Sequence, residues 1–187
     1  MIRHALPTDA NAIAHAHVSS WQTAYRDLMP AQYLDSLGTT LAKREAHWAH
    51  AIEAGEPCVF VAEVNGQVVG WIAVGASRDE DVKGRKVGEV MAIYVLAAYW
   101  QTGVGLALWQ AGVAWLAGQG FEALTLWVLS GNARAIRFYR GVGCGEDVGS
   151  ERGLERGGVG LVEVRYRLAL DPAGWGNRVA REMGHEG

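Results

Sequence analysis

The sequence predicts a single α/β domain with a mixed, partly antiparallel central sheet and flanking helices, and three observations predict it. "CVFVAEV" and "VVGWIAVGA" are β-branched runs joined at Asn65-Gly66, the pattern of a β-hairpin, so the first half pairs antiparallel. "VGEVMAIYV", a helical repeat after Gly103 and then "ALTLWVL" make a strand–helix–strand crossover over residues 87–130, which requires parallel pairing of those two strands. No internal repeat or interdomain linker interrupts the 187 residues, a length that fits one core.

The elements follow in order. "IRHAL" starts a strand, and "PTDA" offers Thr8 or Asp9 as an N-cap. Ile13, Val18, Trp21 and Tyr25 fall at roughly helical spacing, so a first helix runs to about Tyr25, where "RDLMP" breaks it. A second helical region covers roughly 30–54, with Tyr33, Leu34, Leu37, Leu41, Trp48 and Ile52 as its apolar points. After the hairpin, "SRDEDVKGRK" reads as a charged loop that is solvated or covers a cleft. Leu106, Trp109, Val113 and Leu116 recur every three or four residues, and Gly118 and Gly120 close that helix. "ARAIRFYRGVG" is a short helix, with Asn132 as N-cap and Gly141 or Gly143 at its end. "VGLVEVRYRLAL" is a last strand with Val162, Val164, Tyr166 and Leu168 on one face. The domain is expected to span 1–170, and 171–187 reads as a C-terminal tail.

Composition excludes several classes. Half the residues are hydrophobic, 20% are charged and the net charge is −3, so no electrostatic footprint for nucleic acid or an anionic membrane is expected. The longest near-apolar run, 90–100, is too short for a span. The opening "MIRHALPTDA" lacks the apolar segment of a signal peptide. Cys58 and Cys144 match neither a disulfide framework nor a zinc spacing, and are read as thiols in a reducing cytoplasm. His15 and His17 fall on different helix faces, and His47 and His50 lack a third ligand, so no metal is expected.

One junction stands out. In "AAYWQTGVGLALW", Gly103 and Gly105 sit between a strand and a helix. The first N–H groups of a helix lack internal partners and attract anions, and glycine lets a ligand approach them. Either a phosphate cradle or a tight packing turn fits. A P-loop would need Lys and Ser or Thr after the last glycine, and a dinucleotide fingerprint would need glycine at Leu108; the sequence has neither.

The chain resembles the GNAT superfamily of acyl-CoA-dependent N-acyltransferases, which carries Q/R-x-x-G-x-G/A at this junction to bind the coenzyme A pyrophosphate. Here the stretch is "WQTGVG", with Trp100 where Gln or Arg is usual and Gln101 one residue late. "SGNARAIRFYRGVGC" resembles the later motif, in which Asn132 caps a helix and Tyr139 follows seven residues on. The resemblance covers 1–170, and "HVSSWQTAYRDLMP" and "EVRYRLAL" are similar to a branch whose acceptors are mostly unassigned.

The resemblance implies a GNAT-like sheet with a splayed strand pair. It implies acetyl-CoA as co-substrate, bound by the main chain of Ile93, Tyr94 and Val95, by Gln101, Thr102, Gly103, Val104, Gly105 and Leu106, and by Asn132. Tyr139 is the implied general acid toward the leaving thiolate. Glu89, fourteen residues before Gly103, is the candidate base, directly or through water. Another branch keeps a catalytic glutamate five residues before the asparagine, where this chain has Trp127. Trp21 and Tyr25 (i, i+4), with Trp71, line an aromatic acceptor cleft or are plain core. Asp79, Glu80 and Asp81 are placed to attract a cationic amine.

The expected activity is acetyl transfer to a primary amine by direct attack. The acceptor is expected to be a small molecule, with a protein amine as the other option, and a homodimer is common in the family. A non-catalytic acyl-CoA-binding module and a nucleotide-binding domain are the rival readings.

Overall fold

The computed structural model describes residues 1–170, so the tail expected at 171–187 lies outside the described residues. The chain runs β1 (Ile2–His4), α1 (Ala10–Ala24), α2 (Ala31–Ser36), α3 (Leu41–Ala54), β2 (Cys58–Val64), β3 (Gln67–Ala76), β4 (Val87–Val95), α4 (Val104–Gly118), β5 (Ala123–Leu129), α5 (Ala133–Gly141), β6 (Gly145–Glu146), β7 (Arg152–Arg156) and β8 (Val159–Ala169). The sheet order is β1-β2-β3-β4-β5-β8, and β6 and β7 both pair with the far edge of β8. Among the described residues only β4 and β5 pair parallel, as the crossover requires. No helix among the described residues is long and apolar enough to cross a membrane.

The β2–β3 hairpin turns at Asn65 (φ 50°) and Gly66 (φ 76°), the two left-handed positions of a type I′ turn. Both strands are buried on both faces, which explains their unbroken apolar runs. Cys58, Phe60, Ile72 and Val74 pack with Leu108, Val113 and Leu116 of α4. Val59, Val61, Trp71 and Ala73 pack with Ile13 of α1 and Trp48 of α3. The sheet is therefore sandwiched, with α4 on one face and α1 and α3 on the other.

The local reading changes at four places. The second helical region is interrupted at Leu37–Thr40 by a 3-10 turn. There the hydroxyls of Thr39 and Thr40 donate back to the carbonyls of Ser36 and Leu37, both at 2.7 Å, and compete with a regular helix. Asp9 precedes α1 but does not cap it: its carboxylate accepts from the Leu6 N–H, closing the 3-10 turn Pro7–Asp9, and from the Arg3 guanidinium. The glycine-rich stretch before the last strand holds β7, which turns into β8 at Gly157-Gly158, φ 60° and 78°. On β8 itself, Val164 and Tyr166 are buried but Val162 is 43% exposed.

The feature that positions the site is a divergence. β4 and β5 stay paired only from Val87↔Ala123 to Glu89↔Thr125. The β3–β4 register then slips, with Val74 opposite Val90 and Ala73 opposite Ala92, leaving Met91 as a bulged residue. Beyond it the rest of β4 stays with β3, while β5 continues along β8 to Leu129↔Glu163. A wedge opens between them.

Candidate active site

The wedge is the mouth of a cleft of about 840 Å³. Its walls come from β4, the loop before α4, α5, β5, the β7–β8 hairpin and the inner face of α1. The Leu96 N–H bonds the Val69 carbonyl of β3 at 2.9 Å. Strand alternation therefore turns the peptide groups of Ile93 and Val95 to the open side and that of Tyr94 to β3. The Val95 carbonyl is already taken, by the Trp100 indole N–H at 2.8 Å and the Ser20 hydroxyl at 3.3 Å. What β4 leaves for a ligand is the Ile93 peptide group and the Val95 N–H.

The backbone of the loop before α4 suits an anion. Gln101 (φ 61°) and Gly103 (φ 87°) both adopt left-handed backbone, which bends successive N–H groups inward. No side chain caps α4, so its first N–H groups are free at the positive end of a fifteen-residue helix. Nothing lies within 4 Å of the position a Cβ on Gly103 would take, and only Phe138 and Val95, at 3.8 and 3.9 Å, approach that of Gly105. The space a phosphate needs is open. Gln101, Gly103, Gly105 and Leu106 line the cleft; Thr102 and Val104 belong to the loop but not to the lining. The Thr102 hydroxyl instead donates to the Tyr99 carbonyl at 2.7 Å, holding the turn.

Helix α5 begins as expected. Asn132 Oδ1 accepts from the Ala135 N–H at 3.1 Å, a cap worth about 1 kcal/mol. Its amide also faces the cleft. Two turns on, Tyr139 is 8% exposed and packs its ring against Trp109 and Phe138, with its remaining surface on the cleft. Burial pushes its hydroxyl well above the usual phenol value, and raises Tyr25 and Tyr94 likewise. All three are neutral donors at neutral pH. Arg134 and Arg137 on the same helix line the cleft too, and motif spacing alone did not single them out.

The other end of the cleft differs from expectation. Trp21 and Tyr25 line it, their rings edge to face at 5.0 Å. Trp71 does not: it is fully buried among Trp48, His17 and Tyr94, a core residue behind the wall. Its place on β3 points it to the α1–α3 face of the sheet. Glu89 lines the cleft but is neither solvated nor free. One carboxylate oxygen accepts from the Arg78 N–H and Nε at 3.0 and 3.1 Å, and the other from Arg78 Nη2.

The acidic loop is also spoken for. Arg165 binds Asp79, Asp81 and Asp147 at 2.7–3.1 Å, so two of the three carboxylates expected to attract an amine are neutralised. Glu80 pairs only with surface Lys83. Asp79 additionally accepts from the Trp127 indole at 3.0 Å. Trp127, standing where another branch keeps a glutamate, thereby forms a fixed aromatic floor, and Arg152 lies 3.7 Å from its ring centre while pairing with Glu163 at 3.0 Å. Among the described residues, no group of three His, Cys, Asp or Glu side chains is placed to hold a metal ion.

Comparison with known proteins now bears on this geometry. Residues 18–144 match the model of the acetyltransferase (GNAT) family. The uncharacterized N-acetyltransferase YuaI of Bacillus subtilis is 35% identical over 164 residues, 87% of this chain and 89% of YuaI. A mycothiol acetyltransferase of Amycolatopsis mediterranei is 36% identical over 86 residues, 45% of this chain and 29% of that one. A ribosomal-protein-alanine N-acetyltransferase from Brucella melitensis shares the fold at a TM-score of 0.69 and 22% identity, covering 91% of this chain and 99% of that one. The PaiA N-acetyltransferase of Thermoplasma acidophilum, solved with coenzyme A, superposes at 0.68 with 14% identity over 90% and 98% of the two chains. With a splayed β4–β5 pair, an open glycine cradle and the Asn132–Tyr139 helix all facing one cleft, the chain belongs to the GNAT family of N-acetyltransferases.

Proposed function

We propose that the protein moves an acetyl group from acetyl-CoA to the primary amine of a small molecule by direct attack. The observation that carries this reading is the convergence of an open anion cradle, an open β4 edge and the Tyr139 hydroxyl on one cleft. The diphosphate lies on the Gln101–Leu106 loop, and the pantetheine arm runs along β4 toward Asn132. The outward N–H of β4 polarises the thioester carbonyl and holds the oxyanion as the amine attacks. The C–N bond forms first, giving a tetrahedral intermediate; its collapse re-forms the carbonyl and breaks the C–S bond, and the thiolate leaves under the Tyr139 hydroxyl. Full proton transfer from a phenol to a thiolate is uphill by about 1.5 pK units in water, and more so from the buried Tyr139 hydroxyl. A hydrogen bond that strengthens as charge develops on sulfur does not need full transfer.

Glu89 positions Arg78 and is not the base, because Arg78 already engages both its oxygens. The amine arrives neutral or loses its proton to water. Trp21, Tyr25 and Trp127 form the aromatic walls of the acceptor end. Calorimetry with acetyl-CoA, with ATP and NAD as controls, tests the donor assignment. Binding of acetyl-CoA alone, followed by amine-dependent CoA release in a screen of small primary amines, is expected. Binding without release for any amine or peptide N-terminus would reduce the protein to an acyl-CoA-binding module. No binding would remove both readings.

A further inference from the structure

Trp100 breaks the family's motif at its first position, and what it does there points to a residue outside the motif. Its indole N–H is fixed on the Val95 carbonyl, which sets the plane of the ring. The guanidinium of Arg134 lies 3.5 Å from the centre of that ring, close enough for a cation–π contact. The ring thus carries a positive charge to the first residue of the anion loop.

Arg134 is otherwise poorly placed. It is the second residue of α5, where the helix dipole disfavours a cation. Arg137, one turn on, adds a like charge. Among the described residues no carboxylate pairs with either arginine, as for Arg156 in the cleft and Arg26, Arg44 and Arg85 outside it, whereas Arg3, Arg78, Arg140, Arg152, Arg165 and Arg167 have acidic partners. A cation held face-on in a cleft, without a counter-charge and on the ring that precedes the loop into α4, matches an anionic ligand.

We propose that Arg134, carried on the Trp100 ring, is the side chain that binds the diphosphate of the acyl donor, in place of the Gln or Arg usual at the motif's first position. This rests on acetyl-CoA being the donor. The guanidinium is planar, so one face stacks on the indole while its edge presents N–H groups to phosphate oxygens.

The test is calorimetric titration of wild type and Arg134→Ala with acetyl-CoA and dephospho-CoA, at low and high salt, with S-acetylpantetheine binding followed by NMR. Arg134→Ala is expected to weaken acetyl-CoA and dephospho-CoA equally, by roughly ten- to hundredfold. It should flatten the salt dependence and leave S-acetylpantetheine binding unchanged. Arg134→Lys regains part of the affinity, and Trp100→Ala loses about as much as Arg134→Ala, with the double variant little worse than either. Equal losses for S-acetylpantetheine would mean a structural role and overturn the assignment. So would an unchanged acetyl-CoA affinity. A loss that vanishes with dephospho-CoA would move Arg134 to the 3′-phosphate and also overturn it. Failure of wild type to bind acetyl-CoA would instead remove the donor reading itself.

Discussion

The two ends of the cleft solve opposite electrostatic problems. At the donor end, on the loop before α4 and on α5, cations and helix N–H groups face the cleft without protein counter-charges. At the acceptor end most charges are matched within the protein: Arg78 with Glu89, Arg152 with Glu163, Arg165 with Asp79, Asp81 and Asp147, while Arg156 bonds only the Glu155 carbonyl. On the proposed function, the donor end takes an anion. The other spends its charges on holding an aromatic floor in place. Mutations at the donor end should therefore be read in ligand affinity, and those at the acceptor end in stability.

The sharpest break is Gly105→Glu. The new Cβ makes only ordinary contacts, with Phe138 and Val95 at 3.8 and 3.9 Å, so the fold persists, but the carboxylate enters the proposed phosphate site. Acetyl-CoA affinity should fall on the order of a hundredfold or more, by calorimetry against a wild-type circular dichroism spectrum. At the other end, Arg165→Ala strands Asp79 and Asp147 and frees the loop beneath Trp127. It should cost roughly 3 kcal/mol in urea unfolding. A loss as small as that of an ordinary surface ion pair would mean that the acceptor end is not held by this network.

Tyr139→Phe removes one oxygen and should lower kcat about a hundredfold with the loss in turnover rather than in donor affinity, by CoA release at saturating acetyl-CoA. An unchanged rate would end its role as general acid.

His17, behind the acceptor wall, is enclosed by Trp21, Trp71 and Tyr94, and burial holds its pKa down to about 3 from an ordinary 6.5. The unfolded chain takes up the proton first as pH falls. The stability from the neutral ring is complete above pH 6.5 and declines between there and about 3, by about 1.4 kcal/mol per pH unit. Urea titrations of His17→Phe across that window should show a flatter acid limb than wild type. The smallest effect is expected from Glu89→Gln, less than about tenfold in kcat, since the side chain already gives both oxygens to Arg78. A hundredfold loss would restore it as the general base.

The donor end was the more legible, because its signals are local. Asn65-Gly66, the Gly103–Gly105 pair and the Asn132 cap each act within a few residues, so residue type and spacing name the structure directly. Arg134 escaped because its meaning lies in a contact with Trp100, on another element. The acceptor end was misread for the same reason. Asp79, Glu80 and Asp81 look like a free acidic cluster until Arg165 arrives from 84 to 86 residues away. Glu89 looks like a free base until Arg78 folds back on it. Trp21 and Trp71 look alike as aromatics; only the packing of α1, α3 and β3 puts one on the cleft and the other in the core. The sequence by itself determined the mixed sheet, the glycine junction before α4 and most of the element order, though not β6, β7 or the break between α2 and α3, since backbone preference and apolar periodicity act along the chain. The tertiary structure alone decided which charges are spent and which remain for a ligand, since Coulomb pairing depends on distance in space.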